Sequence, residues 1–125
     1  MTDYLTVAEV LAIHDDQIER YGGANGIRDP GQLEAALFRM QSGYYPDLIG
    51  QAAALWESLS QNHPFIDGNK RTAFACTYTF LAINGVEITA NAADTYAFLE
   101  DLYVGNKFRF EALDQWLRNN TERFS

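Results

Sequence analysis

Ten consecutive residues, 63–72 with the sequence HPFIDGNKRT, combine side chains that could handle a phosphate group. His63 can accept a proton near neutral pH, and Asp67 is a carboxylate of the kind that Mg²⁺ prefers. Lys70 and Arg71 are adjacent cations that can neutralise phosphate oxygens. A general base, a hard-metal ligand and two cations in one segment predict transfer of a phosphate-containing group to a hydroxyl.

The same segment is expected to form an anion site where a helix begins. Gly68 lets the backbone approach an anion closely, and Asn69 stands where an N-cap would be. The backbone amides from Asn69 to Thr72 would then face the anion at the positive end of the helix dipole. Phe65 and Ile66 are expected to anchor this turn in the core. Taken singly, each feature also suits an ordinary solvated turn. Their conjunction favours the phosphate site.

The elements that must position this segment are predicted to be helices, because apolar residues recur at helical spacing nearly throughout. We expect an all-α fold, a compact bundle of about six helices around a central buried helix, in one domain spanning residues 1–125. The fourth helix, from about Asn69, is Ala- and aromatic-rich and is expected to be the central one. The predicted helix starts are Thr6 with Glu9 as a capping box, Asp29 before Pro30, Asp47, Asn69, Asp94 and Phe110.

Two short segments have strand character. Tyr44 and Tyr45, just before Pro46, could form a loop or a small hairpin, and residues 86–89 are strand-like but brief. His14 lies within the first predicted helix, where no partner motif surrounds it. We therefore expect its side chain to be on an exposed or half-buried face.

Composition excludes several classes of function. The net charge of −8, with only 9 basic residues, argues against direct binding of nucleic acid. No apolar run approaches the roughly 20 residues that span a bilayer, so no membrane association is expected. The N-terminus lacks the pattern of a signal peptide, and the lone Cys76 cannot form an internal disulfide. A cytoplasmic location is the expectation.

Residues 63–71 resemble the signature of the Fic/Doc superfamily, written HPFx(D/E)GN(G/K)R. The resemblance extends to residues 21–37, where YGG, GIRDP and LEAAL look like the first half of Doc-type (death-on-curing) toxins. Fic enzymes that transfer AMP have Gly where this chain has Lys70, and they commonly have a second Arg where it has Phe74. Doc toxins share the lysine, so the resemblance points to the Doc-type toxin of a toxin–antitoxin pair.

The resemblance implies a function and roles for the site residues. A Doc-type toxin would use ATP and Mg²⁺ to transfer the γ-phosphate to a Thr or Ser hydroxyl of a translation elongation factor, which arrests protein synthesis. His63 would be the base and Asp67 would hold Mg²⁺. Phosphates would be bound by Gly68, Asn69, Lys70, Arg71 and Thr72, with Lys70 and Arg71 also catalytic.

The family also implies partners. Tyr44 and Tyr45 fall where the family has a flap that docks the target. The chain lacks the (S/T)xxxE(G/N) segment that restrains many Fic proteins, so we expect a separate Phd-like antitoxin chain whose helical tail lies in a groove of the toxin. Two alternatives stay open. The chain could transfer AMP or another nucleotide to a protein hydroxyl, or it could be a catalytically silent Fic-fold binding module.

Overall fold

The computed structural model describes residues 1–124, which form six helices and one small sheet. The helices are α1 (Val7–Tyr21), α2 (Pro30–Met40), α3 (Leu48–Gln61), α4 (Asn69–Ile83), α5 (Ala92–Val104) and α6 (Phe110–Asn119). The strands are β1 (Val86–Ile88) and β2 (Thr121–Arg123). The predicted all-α bundle is therefore confirmed. No helix within residues 1–124 has the length and apolarity needed to cross a membrane.

Side-chain caps fix where the first three helices begin. The Thr6 hydroxyl accepts a hydrogen bond from the Glu9 amide, and the Glu9 carboxylate accepts one from the Thr6 amide, so the predicted capping box is confirmed. Asp29 and Asp47 cap α2 and α3 in the same way, each accepting from an amide in the first turn. These caps set the entry points of the three helices that lead to the motif.

The start of α5 differs from the prediction. Asn91, rather than Asp94, is the N-cap, and its side-chain oxygen accepts from the Asp94 amide at 2.8 Å. Asn and Asp are about equally good caps, so with both within four residues the sequence alone left the choice open. Asp94 lies instead in the first turn, where its charge complements the helix dipole.

The bundle has a central buried helix, but it is α3 rather than α4. Residues 52–56 of α3 are fully buried, because α2, α4 and α6 all pack against this helix. Three consecutive alanines in this run let the neighbouring helices approach closely. On α4, by contrast, Tyr78 is 48% exposed. Some of the apolar residues of α4, such as Phe74 and Tyr78, line a surface groove and are not fully buried in the core.

Trp56 of α3 is the centre of an aromatic cluster. Its ring lies 5.5–6.4 Å from four others in edge-on geometry, those of Phe74, Phe98, Phe108 and Trp116. These rings come from α4, α5, α6 and the chain before α6. The cluster therefore fixes α4, which begins at the motif, against the rest of the bundle.

The sheet is antiparallel and pairs β1 with β2, with Val86 opposite Arg123 and Ile88 opposite Thr121. The strand predicted at residues 86–89 is thus confirmed. For Tyr44 and Tyr45 the sequence left a loop or a small hairpin open. They lie in a loop and pair with no strand within the described residues.

Candidate functional site

The motif connects the end of α3 to the start of α4. His63 follows the C-cap residue Asn62 and is exposed, with a backbone φ of +49°. This left-handed conformation costs a residue with a side chain about 1 kcal/mol or more. Pro64, which comes next, is buried. His63, the predicted base, therefore lies at the end of a helix, as expected, but in a strained conformation that needs support.

The loop between α1 and α2 runs beside the motif and is hydrogen-bonded to it. The amides of Arg28 and Asp29 both donate to the carbonyl oxygen of Pro64, at 2.8 and 3.0 Å. In return the Ile66 amide donates to the carbonyl oxygen of Gly26 at 3.1 Å. An isolated antiparallel bridge joins the two segments at their centre. The α1–α2 loop therefore holds the motif in place through main-chain hydrogen bonds.

This pairing explains why only one of the two apolar residues anchors the motif. Phe65 is buried, as predicted, whereas Ile66 is 58% exposed, so the prediction for Ile66 is wrong. Successive residues of an extended segment face opposite sides, and burying Phe65 turns Ile66 toward solvent.

His14 of α1 is a site residue that the sequence reasoning missed. It is 2% exposed, not on a surface face, and its ring lies flat on Phe65. Its Nε2 donates to the carbonyl oxygen of Asp67 at 2.8 Å, which requires the proton on that nitrogen. A signal was present, because His14 lies four residues after Val10 and four before Ile18, and both of these are buried.

Asp67, the predicted metal ligand, has a carboxylate fixed by two backbone amides. Oδ2 accepts from the Ala24 amide at 3.1 Å and Oδ1 from the Gly68 amide at 2.8 Å. These two hydrogen bonds, that from Ala24 first, hold the pKa of the Asp67 carboxyl below its usual range. The group is exposed and charged at neutral pH, as a metal ligand should be.

The donor chemistry fits Mg²⁺ only together with a phosphate. No cluster of three or more His, Cys, Asp or Glu side chains within residues 1–124 could hold a metal ion. Mg²⁺ commonly uses one or two carboxylates and fills its other positions with water and phosphate oxygens. Asp67 can supply the single carboxylate, because each of its oxygens keeps a lone pair after accepting one amide.

The start of α4 differs from the prediction in its cap. Gly68, in the left-handed conformation with φ of +75°, is the N-cap, and Asn69 is the first helical residue. The Asn69 side chain instead folds back onto Phe65, accepting from its amide at 2.9 Å and donating to its carbonyl at 3.0 Å. Asn69 therefore shapes the turn, and only its backbone amide remains free for an anion.

Thr72 is placed out of reach of a ligand, which corrects its assignment to the phosphate site. Its amide donates to the carbonyl oxygen of Gly68 at 2.9 Å, and its side chain is fully buried. The free amides at a helix start belong to its first three residues, here residues 69–71. The free amides that could bind an anion therefore end at residue 71, one residue earlier than predicted.

Lys70 and Arg71 both reach the groove beside α4 but contact different walls. The Lys70 ammonium lies 4.1 Å above the centre of the Tyr103 ring of α5. The Arg71 guanidinium donates to the carbonyl oxygen of Gly22 at 2.9 Å, beyond the end of α1, and lies near the Tyr21 ring. The two adjacent cations thus flank the groove, one directed to α5 and the other to α1.

The groove itself is mostly apolar and has a volume of about 720 Å³. It lies between α1, α4 and α5, with Lys70 and Arg71 among its lining residues and Glu100 as its lone carboxylate. Its apolar lining comes from Tyr21, Phe74, Tyr78, Tyr96, Leu99, Tyr103 and Val104. Tyr96 and Val104 are among the most exposed large apolar side chains of residues 1–124. This exposure indicates a surface that a partner could cover.

The predicted docking flap is only partly available. Tyr44 is 81% exposed, but Tyr45 is 9% exposed and its hydroxyl accepts from Arg39 Nε at 2.7 Å. Tyr45 is therefore a core residue, and its assignment to target docking is corrected. Tyr44 alone presents its ring to solvent, packed edge-on against Tyr45.

Comparison with known proteins identifies this arrangement. The sequence model of the Fic/DOC family matches residues 4–81, which include the motif and the helices on both sides of it. The chain belongs to the Fic/DOC family. Toxin Doc of Mycolicibacterium smegmatis is 45% identical over 96 residues, covering 73% of this chain and 72% of that relative. Protein kinase doc of Escherichia phage P1 is 37% identical over 89 residues, covering 68% of this chain and 71% of that relative.

Within the Fic/DOC family, the chain is of the Doc type. The two relatives carry that name, which confirms the resemblance drawn from Lys70 and Phe74. The matched region of the family ends at Leu81, so it spans α1 to most of α4 but not α5. The Tyr103 ring beneath Lys70 therefore lies outside the residues that the family model matches.

Proposed function

We propose that this chain is the toxin of a type II toxin–antitoxin system and acts in the cytoplasm as a protein kinase. It would transfer the γ-phosphate of ATP to a Thr or Ser hydroxyl of a translation elongation factor and so arrest protein synthesis. The observation that carries the proposal is Lys70 within the motif, with its ammonium over the Tyr103 ring at the groove. The names of the two relatives, Toxin Doc and Protein kinase doc, support it.

The proposed reaction assigns the motif residues distinct roles. His63 accepts the proton of the target hydroxyl while that oxygen attacks the γ-phosphorus, and the bond to the β–γ bridging oxygen breaks to release ADP. The free amides of residues 69–71, together with Lys70 and Arg71, bind the phosphate oxygens and balance the charge that develops on them. Asp67 would hold Mg²⁺, whose chemical contribution is to neutralise phosphate charge.

The test is the mass of the target after reaction. Purified elongation factor is incubated with the chain, ATP and Mg²⁺, with His63→Ala as the matched control. We expect an added phosphate on one Thr or Ser with the native chain and no added mass with His63→Ala. An added AMP would overturn the proposal of phosphate transfer.

Nucleotide transfer is the second candidate. AMP-transferring Fic enzymes share most of this motif, and the Fic/DOC family match includes it. The left-handed Gly68 and the residues before it retain the pattern that those enzymes share. The same mass measurement separates the two reactions. Expression in a bacterial host distinguishes either reaction from a catalytically silent binding module. If the native chain arrests growth and His63→Ala does not, the arrest depends on catalysis.

We also propose that the groove between α1, α4 and α5 binds a helical segment of a Phd-like antitoxin. An amphipathic helix fits an open apolar groove, because its apolar face can cover the exposed rings. An occupant there would lie against Lys70 and Arg71 and so block the phosphate site. Tyr96→Glu should keep growth arrest but escape neutralisation by the co-expressed antitoxin. Phe38→Glu, which changes a ring of similar exposure on α2, should stay neutralised.

A further inference from the structure

The residue before Pro64 has an unusual backbone. His63 is one of two residues with a side chain and a positive φ within residues 1–124, and its φ of +49° places it in the left-handed region. Its imidazole direction depends on this conformation, because φ and ψ set where the Cβ points. A strained residue keeps one geometry only when the surrounding structure over-determines it. The contacts that hold the main chain here therefore bear on the reaction.

The side chain of Arg28 supplies those contacts. Its Nε donates to the carbonyl oxygen of His63 at 2.6 Å, and its Nη2 donates to the carbonyl oxygen of Asn62 at 2.8 Å. These carbonyls lie at the C-terminal, negative end of α3, where a cation is favoured. The planar guanidinium spans two successive carbonyls, which fixes the two peptide planes on either side of the His63 Cα.

The main chain of the same residue holds the next peptide. The Arg28 and Asp29 amides both donate to the carbonyl oxygen of Pro64. Three successive carbonyls, of residues 62, 63 and 64, are thus fixed by residues 28 and 29 of the α1–α2 loop. Arg28 does this from an exposed position, so these contacts are not explained by burial of its side chain.

We infer that Arg28 is a positioning residue for the general base. It acts on the main chain of His63, holds that residue in its left-handed conformation and thereby directs the imidazole. The inference rests on the proposed function for the role of His63 as the base. It concerns a residue outside the 63–72 motif, and it predicts that the reaction depends on a side chain of the α1–α2 loop.

The type of side chain matters to this role. A lysine ammonium is a point donor on a flexible stem and cannot span two carbonyls in a fixed plane. Arg28→Lys should therefore retain the charge near the end of α3 but only part of the positioning. Arg28→Gln removes the charge and the fork together. Arg20→Gln is the matched control, because Arg20 is an exposed arginine of α1 whose side chain pairs only with Asp16 in the described structure.

The first measurement is independent of any activity. The chain has 2 histidines, so a ¹⁵N-imidazole NMR spectrum contains two ring systems, with buried His14 as the internal reference. We expect Arg28→Gln to shift or broaden the His63 ring signals and leave those of His14 unchanged. Arg20→Gln should leave both unchanged. Unaltered His63 signals in Arg28→Gln would overturn the inference.

The second measurement is steady-state phosphate transfer. Misplacing a reacting group by about 1 Å can cost roughly 100-fold, so we expect kcat to fall roughly 10- to 100-fold in Arg28→Gln and less in Arg28→Lys. The KM for ATP should stay within about twofold, since the phosphate-binding amides are untouched. An unchanged kcat with altered His63 signals would also overturn the inference. A native chain that transfers no phosphate would refute the proposed function, while the NMR result would still decide whether Arg28 orients His63.

Discussion

The imidazole of His14 lies flat on the phenyl ring of Phe65, with ring centres 3.8 Å apart and planes 5° from parallel. Nε2 of the same imidazole donates to the carbonyl oxygen of Asp67, so one α1 side chain holds two residues of the motif. The stack buries Phe65, and the hydrogen bond orients the peptide that carries the Asp67 carboxylate, the proposed metal ligand. α1 is therefore the support on which the motif rests.

Substitutions of His14 should separate the two contacts. His14→Phe keeps the stack and removes the donor, so we expect the free energy of unfolding to fall by about 1 kcal/mol. His14→Ala removes both contacts and leaves a cavity, so we expect a loss of roughly 2–4 kcal/mol. Urea unfolding gives both values. Asp15→Ala, at an exposed neighbouring position, is the control, and an equally small loss in all three variants would contradict the packing role.

Gly23 should be needed for the geometry of Asp67. A Cβ at Gly23 would lie 2.6 Å from Asp67 Oδ2, and the backbone φ of +119° is itself unfavourable for other residues. Gly23→Ala should push the carboxylate away from the Ala24 amide and weaken Mg²⁺ use about 10-fold, as loss of an orienting contact commonly does. The measurement is the Mg²⁺ dependence of binding of a non-hydrolysable ATP analogue.

Gly85→Ala is the matched control for Gly23→Ala. Gly85 also has a positive φ, of +82°, but nothing lies within 4 Å of the Cβ that a substitution would add. It therefore carries the same kind of backbone cost without the collision. Equal Mg²⁺ dependence in the two variants would contradict a specific effect of Gly23→Ala on Asp67.

These supports show which parts of the site the sequence could predict. The caps at Thr6, Asp29 and Asp47 are readable because each joins a side chain to an amide three residues away. The bonds from His14 to Asp67 and from Arg28 to His63 join residues 53 and 35 positions apart, so no local pattern encodes them. The sequence therefore predicts the chemistry of the motif, but it does not predict which distant residues orient the motif.

Asn69 and Tyr45 show how a local pattern can also mislead. Asn69 is a good N-cap by residue type, yet bonding both polar groups of its side chain to Phe65 satisfies them better than one amide would. Tyr45 reads as part of a surface flap from its neighbours, yet its ring packs on that of Phe110 of α6, with centres 5.2 Å apart, and its hydroxyl accepts from Arg39 of α2. In both cases a competing contact overrode propensity.

Glu57 of α3 should stabilise the bundle without affecting the site. One carboxylate oxygen accepts from Arg39 of α2 at 2.8 Å, and the other accepts from the Phe110 amide at the start of α6 at 2.7 Å. Glu57→Gln keeps the shape but leaves one acceptor oxygen in place of two, so one of the two bonds is lost and the other loses its charge. We therefore expect a loss of about 1–3 kcal/mol in the free energy of unfolding. Phosphate transfer below the melting temperature should be unchanged. Glu111→Gln, exposed in the first turn of α6, is the control and should cost little.

Asp47 should make stability depend on pH at the acid end. The hydrogen bonds from Arg118 and then from the Gly50 amide hold the pKa of the Asp47 carboxyl below its usual range. The folded state thus binds this proton more weakly than the unfolded state. Its contribution is complete above the unfolded pKa of about 4 and is lost as pH falls through the lower folded value. The pair is half exposed, so the contribution is about 1 kcal/mol or less.

Asp47→Asn checks this pH dependence, because Asn can still cap α3 but cannot titrate. The difference in unfolding free energy between native and variant chains should be largest near pH 6 and shrink below pH 4. Chemical denaturation at several pH values measures it. A difference that stayed constant down to pH 2 would contradict the assigned cause.

Lys70 is the residue on which the type of reaction should depend. Lys70→Met keeps the stem and removes the charge over the Tyr103 ring, so we expect phosphate transfer to fall roughly 100-fold through lost transition-state stabilisation. Tyr103→Phe keeps the ring and removes only the bond to Ser60, and it should change the rate little. Tyr103→Leu removes the ring, leaves the ammonium less confined and should lower the rate by an intermediate factor.

Lys70→Gly restores the residue found in AMP-transferring enzymes, and mass analysis of the modified target then decides between two results. Loss of phosphate transfer with no new product would mean that Lys70 serves catalysis, whereas a gain of AMP on the target would mean that this one side chain also determines how the nucleotide is seated.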